Sequence, residues 1–189
     1  MDTVRMEHLY LKSDFGNLQR SKVKREPITT VYYNDNEYLI RGNSSKDYIF
    51  ERICHTHSFY DIQTLEKIRS LNLKGTYIDI GANIGNHSIY FVNECRAMSV
   101  IAIEANRNLI HILQANLFAN NFLEKRIKIS DCLIASYKKA FFVIEDETNN
   151  IGTSFSSPIA IEGKKFEIRE GISLDDIMLE LNEIKKSHS

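Results

Sequence analysis

The sequence predicts an α/β fold in which parallel strands alternate with crossover helices. From residue 75 onward, short β-rich segments alternate with amphipathic segments of helical period, which is the pattern of a parallel sheet. The first of these strands is followed by a glycine-rich turn that opens a helix, and the second ends in an acidic residue. Both features are typical of sheets that bind a ligand at the carboxyl ends of their strands.

Residues 1–74 are predicted to form a leader, a hairpin and helices that lead into the main sheet. Residues 1–27 are polar and end at a proline, which favours an irregular surface segment. Two β-rich runs, 28–33 and 37–41, flank an Asn-Asp-Asn sequence whose residues tolerate the left-handed conformations of tight turns, so a hairpin is expected.

Two helices are predicted to follow the hairpin, over residues 48–53 and 60–71. The second has an apolar stripe at helical spacing. That stripe consists of Ile62, Leu65, Ile68 and Leu71.

Residues 75–189 are predicted to form the sheet and its helices. The first four elements are a strand at 77–80, a helix at 86–95, a strand at 98–104 and a helix at 106–119. Four apolar residues at helical spacing give the last of these a buried face. They are Leu109, Ile112, Leu113 and Leu117.

The remaining elements are predicted as a third strand, two antiparallel additions and a final helix. The third strand covers 127–133, and the additions at 140–144 and 166–169 are joined by a loop at 149–157. Ser173, with an aspartate three residues later, resembles a capping box at the start of the helix. Its core-facing residues are expected to be Ile177, Leu181 and Ile184.

Composition limits the classes of partner. Lysine plus arginine (24) nearly balances aspartate plus glutamate (25), so neither nucleic acid nor an anionic membrane is expected to bind. The N-terminus has no apolar signal region, and no apolar run approaches the length that spans a bilayer. Three widely spaced cysteines fit neither a disulfide framework nor a paired zinc motif, which favours a reducing, cytoplasmic setting.

Two groups of reactive residues are given no role. Cys54, His55 and His57 are close together, but no second cluster at useful spacing supplies a fourth ligand, so no metal site is predicted. His87 follows the glycine turn and has the chemistry to accept a proton from a hydroxyl. A surface position at the start of a helix is the favoured interpretation of His87.

The glycine-rich turn covers residues 79–86, with the sequence DIGANIGN. Its backbone can pass close to a ligand and present N–H groups at the positive end of a helix. A dinucleotide fingerprint would have a glycine where Asn83 stands, and Gly85 comes one residue early for that motif. The Gly-Lys-Ser/Thr of a P-loop is missing as well. The turn therefore favours a ligand other than a dinucleotide or a nucleoside triphosphate.

Glu104 closes the second strand of the predicted sheet. A carboxylate in this position can accept hydrogen bonds from both hydroxyls of a ribose. A ribose at Glu104 and a zwitterionic amino-acid tail near Asp79 and the turn together describe S-adenosylmethionine. This cofactor supplies a reactive sulfonium methyl group.

The residues that carry these features resemble the FkbM family of methyltransferases. The specific part is YIDIGANIGNH at 77–87 with AIEAN at 102–106. Weaker similarities, in the order found in the family, are FYD at 59–61, NNIGTS at 149–154 and SLDD at 173–176. The resemblance implies a Rossmann-like class I methyltransferase sheet that transfers a methyl group from S-adenosylmethionine to a hydroxyl of a sugar, polyketide or similar small acceptor.

The resemblance also implies roles for individual residues. Glu104 would hold the ribose, and Asp131, after the third strand, would contact the adenine. The methionine end of the cofactor would be lined by Asp79, Gly81, Asn83 and Gly85.

The chain departs from the family at its C-terminal side. Family members continue after the Leu-Asp-Asp segment into a strand with a Lys-x-Asp-x-Glu-Gly-type motif and further strands, whereas this sequence ends at Ser189. The domain is therefore expected to be incomplete at this side, which leaves the strand at 77–80 with an unpaired edge. The chain is then either a naturally short member that covers this edge in another way or a fragment of a longer protein. Such an edge favours pairing with another chain, for example in a homo-oligomer.

Three functions are consistent with these observations. The first is an O-methyltransferase acting on a small molecule, and the second is a truncated module, or fragment of a longer methyltransferase, that binds the nucleoside without turnover. The third, an NAD-dependent oxidoreductase, is disfavoured by Asn83 and by the shortened glycine spacing.

Overall fold

The structure is a computed structural model that describes residues 26–45, 47–121, 126–136, 140–144, 155–157, 159, 162 and 166–179. Local sequence signals define most of its elements. The helices are α1 (Tyr48–Thr56), α2 (Ile62–Ser70), α3 (Asn86–Asn93) and α4 (Arg107–Ala119), and residues 174–179 are also helical. The strands are β1 (Ile28–Tyr33), β2 (Asn36–Arg41), β3 (Thr76–Ile80), β4 (Ser99–Glu104), β5 (Ile127–Asp131), β6 (Leu133–Ile134), β7 (Ala140–Ile144), β8 (Phe155–Ser157) and β9 (Phe166–Ile172).

Strands β3, β4 and β5 form a parallel sheet in that order. Helix α3 connects β3 to β4, and α4 connects β4 to β5, as crossovers between parallel strands require. Asp79 pairs with Ala102 in the register, and Glu104 pairs with Asp131. The predicted α/β fold of Rossmann-like form is confirmed, and its acidic residues lie at one edge of the sheet.

The larger core lies on the face of this sheet that α3 and α4 cover. The predicted apolar face of α4 is buried there, as are Val100 and Ala102 of β4. On the opposite face, Ile101 and Ile103 pack with Ile177 of the 174–179 helix. Alternate residues of β4 thus face opposite layers, which is why its residues 100–103 are all apolar.

The predicted hairpin is confirmed. Strands β1 and β2 pair antiparallel, and the turn places Asn34 and Asp35 in the left-handed region, at φ 47° and 62°. Val31 and Ile40 of the hairpin are buried in the same core as α3 and α4. The N-terminal elements therefore share a core with the sheet, and the division at residue 74 stays a prediction.

The helices before the sheet differ from their predicted bounds. Helix α1 runs three residues further than expected and ends where His57 adopts a left-handed φ of 50°. Helix α2 begins at Ile62, after Asp61 at its N-cap, and ends before Leu71. Leu71, predicted as the last residue of the apolar stripe, lies beyond the end of the helix, and 64% of it is exposed.

The region after α4 contains two further corrections. The predicted strand at 127–133 is divided at Cys132 into β5, which pairs with β4, and β6, which pairs with β9. The predicted loop at 149–157 ends in β8, which pairs with β7. The predicted antiparallel pairing of β7 with β9 is confirmed, and so is the capping contact between Ser173 and Asp176, with the backbone N–H of Asp176 3.1 Å from Oγ of Ser173.

Several predictions fall outside the described residues, namely the leader at 1–25, the NNIGTS segment at 149–154, and Leu181 and Ile184. Within the described part of the chain, β3 pairs with β4 and no strand pairs with its other edge. No described helix is long and apolar enough to cross a membrane. The described residues contain no cluster of three or more His, Cys, Asp or Glu that could hold a metal ion.

Candidate cofactor-binding site

The glycine turn after β3 is built from residues with positive φ. Gly81, Asn83 and Gly85 have φ values of 76°, 52° and 91°. Asparagine tolerates this region because its side chain can bond the local backbone, and Oδ1 of Asn83 accepts from the N–H of Ile84 at 2.7 Å. Position 83 therefore needs a residue that tolerates a left-handed backbone conformation, and asparagine does. Unlike the glycine of a dinucleotide site, asparagine has a side chain that limits how closely a pyrophosphate can approach the backbone.

Glu104 and the turn are joined directly. Oε2 of Glu104 accepts from the backbone N–H of Asn83 at 2.8 Å, and Oε1 accepts from that of Asn106 at 2.7 Å. The N–H groups of Gly81 and Ala82 both donate to the carbonyl of Ile103, each at 2.9 Å. The turn after β3 and the end of β4 are thus in direct contact.

Asp79 lies beneath the turn and faces the start of α3. Its Oδ2 accepts from Oγ of Ser88 at 2.6 Å, and the side chain is buried. Ser88 is in the first turn of α3, where backbone N–H groups lack helical partners and a carboxylate is favoured. Asp79 therefore fixes the orientation of α3 relative to the sheet.

Burial raises the pKa of both carboxyls at this site, Glu104 and Asp79. Burial raises the pKa of Glu104, the N–H groups of Asn106 and Asn83 oppose that rise, and the nearby Asp79 adds to it. Burial also raises the pKa of Asp79, against the hydrogen bond from Ser88. Among the described residues, no lysine or arginine forms an ion pair with either carboxyl. Two buried carboxyls therefore lie close together without a lysine or arginine partner among the described residues.

Asp131 lies beside Glu104 in the register but is engaged differently. Its carboxylate pairs with the buried guanidinium of Arg169 and, at 3.4 Å, with that of Arg107. Arg107 also pairs with Glu167 at 3.0 Å. Asp131 is therefore at the predicted edge of the sheet, in an ion-pair network that connects β5, α4 and β9.

Sequence reasoning did not identify Ser88 or Arg169. Ser88 lies three residues after Gly85, in the first turn of α3, where its hydroxyl can reach the Asp79 carboxylate. Phe166 and Ile168 lie on the exposed face of β9, and Arg169 lies on its buried face. The alternation of residues along β9 was predictable from the sequence. Which of its two faces is buried was not, because that depends on the ion pair between Arg169 and Asp131.

His87 has an unexpected environment. It is half-buried, its ring lies 6.2 Å from that of Phe91, and its buried Nε2 has no hydrogen-bond partner among the described residues. Its proximity to Asp79 favours the ionised form of that carboxyl. The interpretation of His87 as a simple surface residue is therefore incomplete.

No protein-family model matches the sequence, and no curated protein matches it. Solved structures with some likeness include a tRNA methyltransferase of M. jannaschii (24% identity, TM-score 0.40) and TYW2 of M. jannaschii in complex with AdoMet (16%, 0.39). The matches cover 57% and 58% of this chain, and 31% and 46% of those chains. A complex of aTrm5 with tRNALeu is 26% identical, with a TM-score of 0.38, over 57% of this chain and 29% of that one. The chain thus spans less than half the length of each of these three proteins.

These comparisons correct one prediction. The sequence-based expectation excluded nucleic acid as a partner, whereas the similar structures include a tRNA methyltransferase and a complex with tRNA. The exclusion came from the net charge of −1. Net charge is a sum over the whole chain and does not exclude a local basic surface, so it is not a sufficient ground.

Proposed function

We propose that this protein binds S-adenosylmethionine at the edge formed by the glycine turn and Glu104, and that it belongs to the methyltransferase class. The observation that carries the proposal is the pair of buried carboxyls, Asp79 and Glu104, at the ends of adjacent parallel strands. Neither has a lysine or arginine partner among the described residues. Buried carboxylates of this kind favour a ligand that brings positive charge and hydroxyl donors.

S-adenosylmethionine has both features. Its α-ammonium and sulfonium groups carry positive charge, and its ribose carries two hydroxyl donors. A pyrophosphate or triphosphate would instead bring negative charge toward Asp79 and Glu104, which like-charge repulsion opposes. The electrostatics therefore support the same choice of ligand as the missing dinucleotide and P-loop motifs.

The hydrogen bonds of Glu104 refine how a ribose would be held. A carboxylate offers roughly four acceptor positions, and the backbone N–H groups of Asn83 and Asn106 use two of them, one on each oxygen. The remaining acceptor capacity matches the two hydroxyls of a ribose.

The other proposed contacts follow the edge of the sheet. Asp79, Gly81, Asn83 and Gly85 are proposed to line the methionine end, and Asp131 the adenine end. A Cβ atom at Gly81 would meet no heavy atom within 4 Å, so this part of the turn faces open space that a ligand can enter. Bound S-adenosylmethionine would supply the methyl group, with its sulfonium as the leaving group. The described residues would bind and orient it.

The acceptor is a finer part of the proposal. The FkbM resemblance favours O-methylation of a hydroxyl, and His87, with its unpartnered Nε2, is placed close to Asp79. Because Nε2 of His87 is buried, the ring would have to turn outward before it could take the proton of an acceptor hydroxyl. Both hydroxyl-bearing small molecules and RNA carry such groups, since RNA has a 2′-hydroxyl.

A second candidate is a nucleoside-binding module without turnover. The specific observation in its favour is the unpaired edge of β3 within the described residues, which leaves one side of the site without a neighbouring strand. Ligand affinity would be retained in this case, because Asp79, the turn and Glu104 are all present.

Calorimetry and a transfer assay test these proposals. S-adenosylmethionine and S-adenosylhomocysteine are expected to bind, and NADH is not. Binding of NADH with no binding of either sulfur nucleoside would refute the assignment. Incubation with isotopically labelled S-adenosylmethionine, with sugar or polyketide hydroxyl acceptors in one series and RNA in another, then separates methyl transfer from binding alone.

A further inference from the structure

Helix α4 carries two asparagines that bond the outer edge of strand β2. Oδ1 of Asn116 accepts from the N–H of Arg41 at 2.7 Å, and its Nδ2 donates to the carbonyl of Arg41 at 3.0 Å. Asn120 does the same with Leu39, at 3.0 Å and 2.8 Å. Each side-chain amide therefore takes the place of a partner strand for one residue of β2.

The spacing of the two elements makes this double contact possible. Four residues of an α-helix advance about 6 Å, and two residues of a strand advance about 6.7 Å. Asn116 and Asn120 are four apart, and Leu39 and Arg41 are two apart, so both amides meet backbone groups that point the same way. The β1–β2 hairpin is thus docked on α4 by hydrogen bonds as well as by its apolar face.

Asn116 makes one contact that Asn120 does not. Its Nδ2 also donates to the carbonyl of Ile84 at 2.7 Å, inside the glycine turn, and the residue is completely buried. The third bond of Asn120 goes instead to the carbonyl of Asn116 in its own helix, at 2.7 Å. Asn116 therefore connects the hairpin to the glycine turn, whereas Asn120 connects the hairpin only to its own helix.

We propose that Asn116 is a positioning residue that couples docking of the β1–β2 hairpin to the conformation of the glycine turn. Ile84 directly follows Asn83, whose N–H holds Glu104, so a displacement at Ile84 is transmitted to that bond. The coupling does not depend on the proposed function. Its consequence for ligand affinity does, because the turn is the proposed ligand site. The hairpin then influences ligand affinity without touching the ligand, and the ligand stabilises the hairpin in return.

Amide hydrogen exchange on the ligand-free chain tests the coupling. Asn116→Ala is compared with Asn120→Ala, which removes the same type of hairpin contact. Asn116→Ala is expected to speed exchange of the Asn83 and Gly85 amides by about tenfold or more, within the usual range of coupling between sites. Asn120→Ala is expected to speed exchange in the hairpin and leave the turn near its wild-type rate. Equal effects of the two variants on the turn, or no effect of Asn116→Ala there, would overturn the inference.

Affinity for S-adenosylhomocysteine provides the second measurement. Asn116→Ala is expected to weaken binding by about tenfold, and Asn120→Ala by much less. If the wild-type chain does not bind this nucleoside, the proposed function fails while the exchange comparison still decides the coupling. If Asn116→Ala does not fold, Asn116→Ser replaces it, because a single hydroxyl cannot make all three bonds of the amide.

Discussion

The backbone N–H of Asn83 donates to Oε2 of Glu104 at 2.8 Å. This bond connects a turn that follows one strand to the carboxylate that ends the next strand, 21 residues later. Glu104 therefore holds the turn against the end of β4. The contact brings both features to the carboxyl ends of β3 and β4.

Glu104→Ala is expected to weaken binding of S-adenosylmethionine by about 1–3 kcal/mol, because it removes a buried charged acceptor and releases the N–H of Asn83. Calorimetry measures the change. Glu94→Ala is the matched control, since Glu94 is equally buried but accepts from Asn34 and Tyr38 of the hairpin region. Equal loss of affinity in both variants would show that Glu104 acts through stability alone.

Gly85→Ala is expected to destabilise the fold by about 2–5 kcal/mol. The left-handed φ of 91° costs about 1–2 kcal/mol for a residue with a Cβ, and overpacking adds about 1–3. The added Cβ would lie 2.7 Å from Cδ1 of fully buried Leu113. Urea unfolding measures the change.

Gly75→Ala is the control for this substitution. Gly75 also has a positive φ, of 112°, but a Cβ there would meet no heavy atom within 4 Å. Only the backbone cost should appear. A larger loss of stability at Gly75 than at Gly85 would contradict the proposed packing against Leu113.

Asp79→Asn is expected to change how stability varies with pH. Burial raises the pKa of Asp79 above its ordinary value of 3.8, so the folded state holds this proton more tightly than the unfolded state. The stabilisation from the protonated carboxyl is complete below the ordinary value and is lost as pH rises through the raised one. The variant should therefore gain stability relative to wild type as pH increases through that interval.

Denaturation at a series of pH values measures this difference. Asp35→Asn removes the same charge from the exposed hairpin turn and controls for the change in net charge. An unfolding free-energy difference between Asp79→Asn and wild type that falls with rising pH would contradict the assigned shift.

Arg169→Met is expected to cost about 1–3 kcal/mol of stability, because it removes a buried partner of the Asp131 carboxylate. Arg107→Met removes the other arginine, which is mostly exposed, and should cost less than about 1 kcal/mol. Each variant combined with Asp131→Asn in a double-mutant cycle gives the coupling energy. Comparable coupling for the two arginines would contradict the different burial seen in the structure.

Much of the fold follows from local sequence patterns. The hairpin, the two crossover helices and the first two strands of the parallel sheet were predictable because each depends on residues close in sequence. The left-handed turn at Asn34 and Asp35 and the apolar spacing of α4 are examples. Element ends were less predictable, as Leu71 shows, because the last turn of a helix depends on what covers it.

The candidate site was predictable in outline for a related reason. Parallel strands place their carboxyl ends at one edge, so Asp79, the turn and Glu104 had to converge once β3 and β4 paired. The division of 127–133 at Cys132 was not predictable, since the two pieces pair with strands far apart in the sequence. The contacts that the asparagines of α4 make with β2 were not predictable for the same reason.

The sequence by itself determined the hairpin, the alternation of β3, α3, β4 and α4, the glycine turn and the acid at the end of β4, because periodicity and turn chemistry are local. Only the tertiary structure decided that Asp131 meets Arg169 and that Asn116 joins Arg41 to Ile84. Those contacts link residues 38, 75 and 32 positions apart. A polar side chain finds such a partner only after packing has brought the distant segments together and removed water from between them.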